Sequence, residues 1–380
     1  MIATWVRWSA PCDITRLLRG FVPRAIGSQL ASHEFSRGRY NGQAPLGRLT
    51  GRVICFDFSP SASIRRIGRT QNRGWMRYDI EADFILLRTC NYRCDYCFVS
   101  PEKLGEKLVV HATPEAWRSA FDRTQQTWMI HITGGEPTLY PGFAELAALL
   151  NQRHYLSLNS NLTGRELAAF AHTVDPARVA LVNAGFHPAE RRARNGEELF
   201  LRNAAMLRER GFPVMISVVA TPEILANYDA VIAALAPTGL MPMPKAMHGE
   251  YRGVGYPEAS TDRDREEFRR RSLAAEQSYP DLFGPDGLHP TIDLTRDRDH
   301  LERRARYSKQ PCAAGRDMVR IDPDGTVHRC AIKGPSMGNL LQGTWQRATE
   351  CAPCNRSYCV YFCEKYTAMA RDEVVLAAAQ

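Results

Sequence analysis

Three cysteines, Cys90, Cys94 and Cys97, follow closely on the apolar run Phe84-Ile85-Leu86-Leu87. The run reads as a buried strand, so the cysteines occupy the loop at its C-terminal end. Their spacing, Cys-x3-Cys-x2-Cys, lets three thiolates converge on one metal centre if the loop wraps around it. Iron–sulfur clusters are held in this way. A structural zinc site closes with four ligands. No fourth Cys or His lies close by, since the next candidate is His111. Three ligands on a four-iron cube leave one iron open, and an open iron is where chemistry can occur. A zinc or redox-sensing site is the competing reading.

The strand begins a regular alternation at about residue 78. Thr113 offers an N-cap, with Glu115 near the start of a helix at about 114–125. A strand over Trp128–Ile132 ends at Gly134-Gly135, and a helix follows Pro141 with Phe143, Leu146, Leu149 and Leu150 at helical spacing. Tyr155–Leu158 reads as a strand, Thr163 as the cap of a helix at about 164–172, and Val179–Val182 as a strand. A helix is expected at about 196–210, then a strand over Pro213–Val219, a helix opened by Thr221-Pro222-Glu223, and a sixth strand over Leu240–Pro244.

Strands alternating with helices predict a parallel sheet with right-handed crossovers. Six such units are too few for an eight-unit barrel. The expected fold is therefore α/β: a partial (β/α)6 TIM-like barrel with a small cysteine-rich C-terminal extension. The expected organisation is an N-terminal extension over 1–77, a barrel core over 78–245, a linker with a charged helix at about 260–277 inside 246–310, and the cysteine-rich region over 311–380.

The chain has 380 residues, 44% of them hydrophobic, as an ordinary globular protein does. No apolar run approaches the roughly 20 residues of a membrane span, so a cytoplasmic protein with no membrane partner is expected. The net charge of +8 comes from arginines interleaved with acids, as in TDRDREEFRRR, and a nucleic-acid partner is not expected. The first 50 residues are Arg-rich, with only Asp13 and Glu34 as acids. Transit peptides have this composition, as do basic arms; a loosely packed extension is the reading adopted.

Eleven cysteines are present, and nine fall in two groups separated by residues 98–311, which contain none. A secreted disulfide scaffold spreads its cysteines over a short chain. Two clusters far apart point to metal thiolates. Cys12 and Cys55 stand alone and read as structural or unused thiols.

The loop Cys90-Asn91-Tyr92-Arg93-Cys94-Asp95-Tyr96-Cys97 resembles the radical S-adenosylmethionine (SAM) superfamily, whose signature is CxxxCxΦC with Φ aromatic. The resemblance implies a [4Fe–4S] cluster on Cys90, Cys94 and Cys97 whose open iron binds SAM, with Tyr96 packed near the adenine. It further implies reductive cleavage of SAM to methionine and a 5′-deoxyadenosyl radical that abstracts a substrate hydrogen. An electron donor such as flavodoxin or ferredoxin goes with that chemistry. Thr133-Gly134-Gly135-Glu136-Pro137 looks like the family's GGEP motif. The glycines would permit close backbone approach, and Glu136 would accept from the SAM ammonium. Asn159-Ser160-Asn161 resembles segments that position SAM, and equally suits a turn. Ser217 falls where relatives often have a ribose contact. His187 reads either as substrate-facing or as a structural histidine.

The second group comprises Cys312, Cys330, Cys351, Cys354, Cys359 and Cys363. Between its first two members, Pro323-Asp324-Gly325 reads as the turn of a hairpin over Arg320–His328. The spacing C-x12-G-x4-C followed by CxxC looks like the SPASM/twitch extension of radical SAM proteins, which holds auxiliary [4Fe–4S] clusters. The full SPASM pattern has seven cysteines and a gap of five after CxxC; here there are six and the gap is four. The readings are one fully ligated auxiliary cluster, two with open or non-Cys positions, or a structural zinc on four thiols.

Three functions follow: a radical SAM maturase acting on a peptide or protein, an oxidising or epimerising enzyme acting on a small metabolite such as a sugar or aminocyclitol, and a non-enzymatic metal or redox module.

Overall fold

The computed structural model describes residues 66–69, 75–279, 282, 297–302, 307–330, 334–354 and 356. Cys12, Cys55, Cys359, Cys363 and most of the expected N-terminal extension lie outside them. Everything described belongs to the unit Ser59–Gln380.

Strands β1 (Arg66–Arg69) and β2 (Trp75–Tyr78) pair as an antiparallel hairpin. The alternation then begins: β3 (Ile80–Leu87), α1 (Pro101–Gly105), α2 (Pro114–Arg123), β4 (Trp128–Gly134), α3 (Phe143–Asn151), β5 (Tyr155–Ser160), α4 (Leu167–Thr173), β6 (Val179–Gly185), α5 (Pro188–Ala193), α6 (Glu197–Glu209), β7 (Val214–Val219), α7 (Pro222–Ala226), α8 (Tyr228–Leu235) and β8 (Met243–Lys245). Strands β3 to β8 are neighbours in sequence order and every pair is parallel. This is the partial (β/α)6 barrel that the alternation predicts.

The strands are two-sided. Ile80, Ala82, Phe84 and Leu86 of β3 face the helices and join one core with Trp117 and Phe121 of α2. The Phe84 and Trp117 rings meet edge-on at 4.7 Å. Ile80, Phe84 and Leu86 each contribute about 1.5–3 kcal/mol by leaving water. Glu81, on the other side of β3, is buried with polar partners: Tyr78 donates to it at 2.7 Å and His131 lies 3.2 Å away. His131 in turn reaches Ser157 at 2.7 Å. The barrel interior thus carries a hydrogen-bonded polar layer, as buried polar groups require.

Several boundaries differ from expectation. Thr163 caps no helix: its hydroxyl takes a bond from Asn91, and α4 starts only at Leu167. Two helices, α5 and α6, connect β6 to β7, because Asn195 and Gly196 break the run between them. Residues after β8 form a short hairpin, β9 (Gly249–Tyr251) with β10 (Val254–Tyr256), before the charged helix α9 (Asp262–Ser278) and α10 (Asp297–Leu301).

The C-terminal strands are β11 (Pro311–Cys312), β12 (Met318–Ile321), β13 (Thr326–His328), β14 (Ser336–Asn339) and β15 (Ala352–Pro353). The expected hairpin over Pro323-Asp324-Gly325 is β12–β13. Its strand β12 also pairs in parallel with β3, Met318 opposite Glu81 and Ile321 opposite Phe84. The barrel strands and the hairpin therefore share one nine-stranded sheet.

Candidate active site

The β3–α1 loop carries the three early cysteines, and its path is fixed by bonds from several elements. Cys90 N–H donates to Leu104 O at 3.0 Å, and Arg93 N–H to the Glu190 carboxylate at 3.1 Å. Asn91 is bonded on both sides, accepting from Asn161 at 2.9 Å and donating to Thr163 at 2.8 Å. Arg252 of the β9–β10 turn lies 3.8 Å from Asp95.

A cavity of about 310 Å³ opens at the C-terminal ends of the barrel strands. Cys90, Cys94, Cys97 and Tyr96 line it from the loop. Gly134, Gly135 and Glu136 line it from β4, Asn159 and Ser160 from β5, His187 from beyond β6, and Ser217 from β7. All the positions singled out around the first cysteine group thus converge on one space. Asn161, the third residue of the Asn159-Ser160-Asn161 set, lies on the same wall, together with Asn183 and Lys245, which the motifs do not mark.

The two glycines have a geometric cause. A Cβ on Gly134 would stand 2.1 Å from Leu87 O, and one on Gly135 would stand 2.1 Å from Thr89 O. Gly135 and Glu136 N–H donate to those same carbonyls at 2.9 and 3.0 Å. The end of β4 is pressed onto the start of the cysteine loop, and only bare backbone fits. The close approach of the chain to itself already requires both glycines.

Glu136 is 1% exposed. Its Oε1 accepts from Ser160 Oγ at 2.7 Å, from Thr138 N–H at 3.1 Å and from the Thr138 hydroxyl. Its Oε2 accepts from Asn161 N–H at 2.7 Å. Burial pushes the carboxyl pKa up while these donors pull it down. A carboxylate offers about four lone-pair positions, so Oε2, with one donor of its own, retains capacity on the cavity side. Asn183 Nδ2 donates to Asn159 at 2.6 Å, and its Oδ1 has no partner among the described residues. Lys245 pairs with Asp297 at 2.9 Å.

Burial holds the Cys90 thiol up at about 11 and the Cys94 thiol up at about 12. Each thiol also feels the other two or one of them as like charges. Thiolates here therefore need a metal to compensate them. Three mutually close soft donors suit iron–sulfur ligation. Among the described residues, no three His, Cys, Asp or Glu side chains close around a point that a single ion would fill. The fit to a cluster rests on the chemistry of the donor set: three soft thiols on one cavity wall.

In the C-terminal region Cys312, Cys330, Cys351 and Cys354 pack together around Ala313, Ala314 and Met318. β11 pairs with β15 there, Cys312 opposite Ala352. Arg329 ties the nest, donating to carbonyls of Ala314, Cys312 and Pro353 at 2.9, 3.2 and 3.1 Å, and to Ala352 O.

The profile of the Radical SAM superfamily matches residues 84–229, from β3 into α8. The matched segment has the sequence character of a radical SAM domain. Such a domain implies a [4Fe–4S] cluster and SAM. No curated protein matches the chain. Among solved structures, the chain is similar to native anSMEcpe with bound AdoMet and Kp18Cys peptide, at 16% identity and TM-score 0.48, over 70% of this chain and 78% of that one. It is also similar to Streptococcus suis SuiB bound to S-adenosylmethionine, at 13% identity and TM-score 0.48, over 69% of this chain and 63% of that one. The matched segment contains the three cysteines, the Gly134-Gly135-Glu136 residues and every strand end around the cavity up to Ser217. Lys245 lies beyond it. No helix among the described residues is long and apolar enough to cross a membrane.

Proposed function

We propose that the chain is a radical SAM enzyme that modifies a peptide or protein substrate. The observation that carries the enzymatic reading is the convergence of Cys90, Cys94, Cys97, Tyr96 and Glu136 on one cavity. The three cysteines hold the [4Fe–4S] cluster, Glu136 Oε2 receives the SAM ammonium, Tyr96 packs beside the adenine, and Asn159, Ser160 and Ser217 position the rest of the molecule. When bound, the reduced cluster supplies the electron that cleaves SAM to the 5′-deoxyadenosyl radical, and that radical takes a substrate hydrogen. An external donor such as flavodoxin or ferredoxin supplies the electron.

The cavity volume supports the substrate class. At about 310 Å³ the cavity lies at the low end of the ~300–1,000 Å³ of ligand pockets, and a cluster and SAM would share it. A substrate that inserts one side chain and stays outside with the rest suits what remains. Phe98, next to Cys97 on the cavity wall, is 84% exposed and offers such a substrate an apolar contact.

A second reading is a small metabolite. The nest of Cys312, Cys330, Cys351 and Cys354 supplies ligands for one complete auxiliary cluster, the count that twitch-type regions carry.

The test is anaerobic reconstitution with dithionite and SAM, followed by mass spectrometry. 5′-Deoxyadenosine should form and should vanish in the Cys94→Ala variant. Absence of 5′-deoxyadenosine from the iron-loaded wild type would promote the redox-module reading. Mass change in candidate peptides, against turnover of sugars or amines, decides the substrate.

A further inference from the structure

Arg191, on α5, is fully buried. Burying a guanidinium is costly unless its donors are satisfied. Its bonds all go to carbonyl oxygens: Gly185 at 3.0 Å, Gly196 at 3.4 Å, and Asn161. Among the described residues its Nε has no partner. The neighbouring acid, Glu190, pairs with Arg194 instead. The group is enclosed by rings: its carbon lies 4.0 Å from the Phe200 centroid, and 5.6 Å from those of Tyr92 and Phe186.

This cation sits behind the cysteine loop. Tyr92 lies between Cys90 and Cys94 in sequence, and its N–H donates to Cys90 Sγ at 3.4 Å. Arg191 acts through space on Tyr92, Glu136, Tyr96 and Cys94. Two of its carbonyl acceptors, Asn161 and Gly185, lie at the ends of β5 and β6, on the cavity wall. One residue thus braces two strand ends and places a positive charge, held by no ion pair among the described residues, beside the cluster ligands.

We propose that Arg191 is a positioning residue whose buried charge raises the reduction potential of the cluster on Cys90, Cys94 and Cys97. The inference rests on the reading of those cysteines as cluster ligands. Reduction adds one electron to the cluster, with dithionite as donor and no proton transferred. A fixed cation stabilises the added negative charge, and the effect is stronger where burial lowers the local dielectric.

The test is an EPR-monitored redox titration of the full-length reconstituted protein. The relevant signal is the one lost in the Cys90→Ala/Cys94→Ala/Cys97→Ala variant. Arg191→Met should lower the reduced-to-oxidised ratio at a fixed potential about tenfold, equivalent to ~59 mV for a one-electron couple. Arg191→Lys, which keeps the charge without the planar fork, should restore most of that ratio. Gly196→Asp gives an independent arm. A Cβ there meets Tyr92 Oη at 3.6 Å, an ordinary contact, and Asp suits the N-cap of α6. Its carboxylate should lower the ratio in the same direction.

An unchanged ratio in Gly196→Asp, or equal losses in Arg191→Met and Arg191→Lys, overturns the inference. If Arg191→Met loads no iron, Gly196→Asp decides alone. Wild type whose iron and EPR signal survive the triple cysteine variant instead overturns the cluster assignment.

Discussion

Tyr96 and His187 meet through a 2.8 Å hydrogen bond between the phenol oxygen and Nδ1. Burial pushes the Tyr96 pKa far up and the His187 pKa down to about 3. Both groups are therefore neutral, and the tautomer of His187 sets which of them donates. The rings lie 6.1 Å apart and nearly parallel, and a Cβ on Gly185 would stand 2.7 Å from His187 Nε2. The residue before the third cysteine is held in place from the far side of the cavity.

His187→Leu should therefore loosen Tyr96 without removing a cluster ligand. A buried group left without its partner costs about 1–3 kcal/mol, so SAM affinity should fall roughly tenfold or more. Iron content should stay at the wild-type level. Anaerobic equilibrium dialysis with SAM checks this, and undiminished affinity would separate Tyr96 from the SAM site.

Gly135→Ala should impair cluster loading. Its methyl would fall 2.1 Å from Thr89 O, and relief requires moving either the end of β4 or the start of the cysteine loop. Overpacking of this sort costs typically ~1–3 kcal/mol and occasionally more. The expected result is lower iron per chain with near-native far-UV circular dichroism. Full loading would show that the loop can shift without cost.

Stability should fall as the pH drops below about 6.5, the usual histidine value. Buried His154 accepts from Trp128 N–H at 3.3 Å. Burial, first, and then Arg153 and Arg178 depress its pKa, while Asp122, 3.3 Å from Nε2, opposes them. The unfolded chain thus binds a proton there that the folded chain refuses, so stability rises with pH through that window and is lost on acidification. His154→Asn, whose amide oxygen can replace the Nδ1 acceptor, should flatten this part of the profile. Urea unfolding at pH 5, 6 and 7 on wild type and variant measures it; identical slopes would acquit His154.

Arg329→Ala should empty the C-terminal cysteine nest while sparing the first cluster. The side chain donates to four carbonyls around Cys312 and Cys354. A loss of about four irons per chain is expected if one [4Fe–4S] cluster sits there. SAM cleavage should persist, and product formation should fall in parallel with Cys354→Ala. Unchanged iron in both variants would remove the auxiliary cluster.

What the sequence discloses about this site is local. The cysteine loop, Gly134-Gly135-Glu136 and Asn159-Ser160 each carry their chemistry within a few residues, and the strand-to-helix alternation puts all of them at the same end of a sheet. Arg191 is not legible in that way. In PAERRARNGEE it reads as one more charge on a solvated helix, and only the convergence of Tyr92, Phe186 and Phe200 buries it. Asn183 and Lys245 are hidden for a related reason: their strands announce themselves by apolar residues, and which polar neighbour turns inward depends on register. Thr163 misleads as a cap because its hydroxyl is taken by Asn91, far away in sequence. The pairing of β12 with β3 joins segments so distant along the chain that no local pattern encodes it.

That last pairing gives the C-terminal region a mechanical role besides any metal it carries. Met318–Ile321 covers the edge of the strand from which Cys90, Cys94 and Cys97 hang. Cutting the chain before residue 311 would bare that edge to solvent and to other chains, an invitation to aggregation. The two thiol groups cannot be studied as detachable modules, because one is built on the border of the other's scaffold.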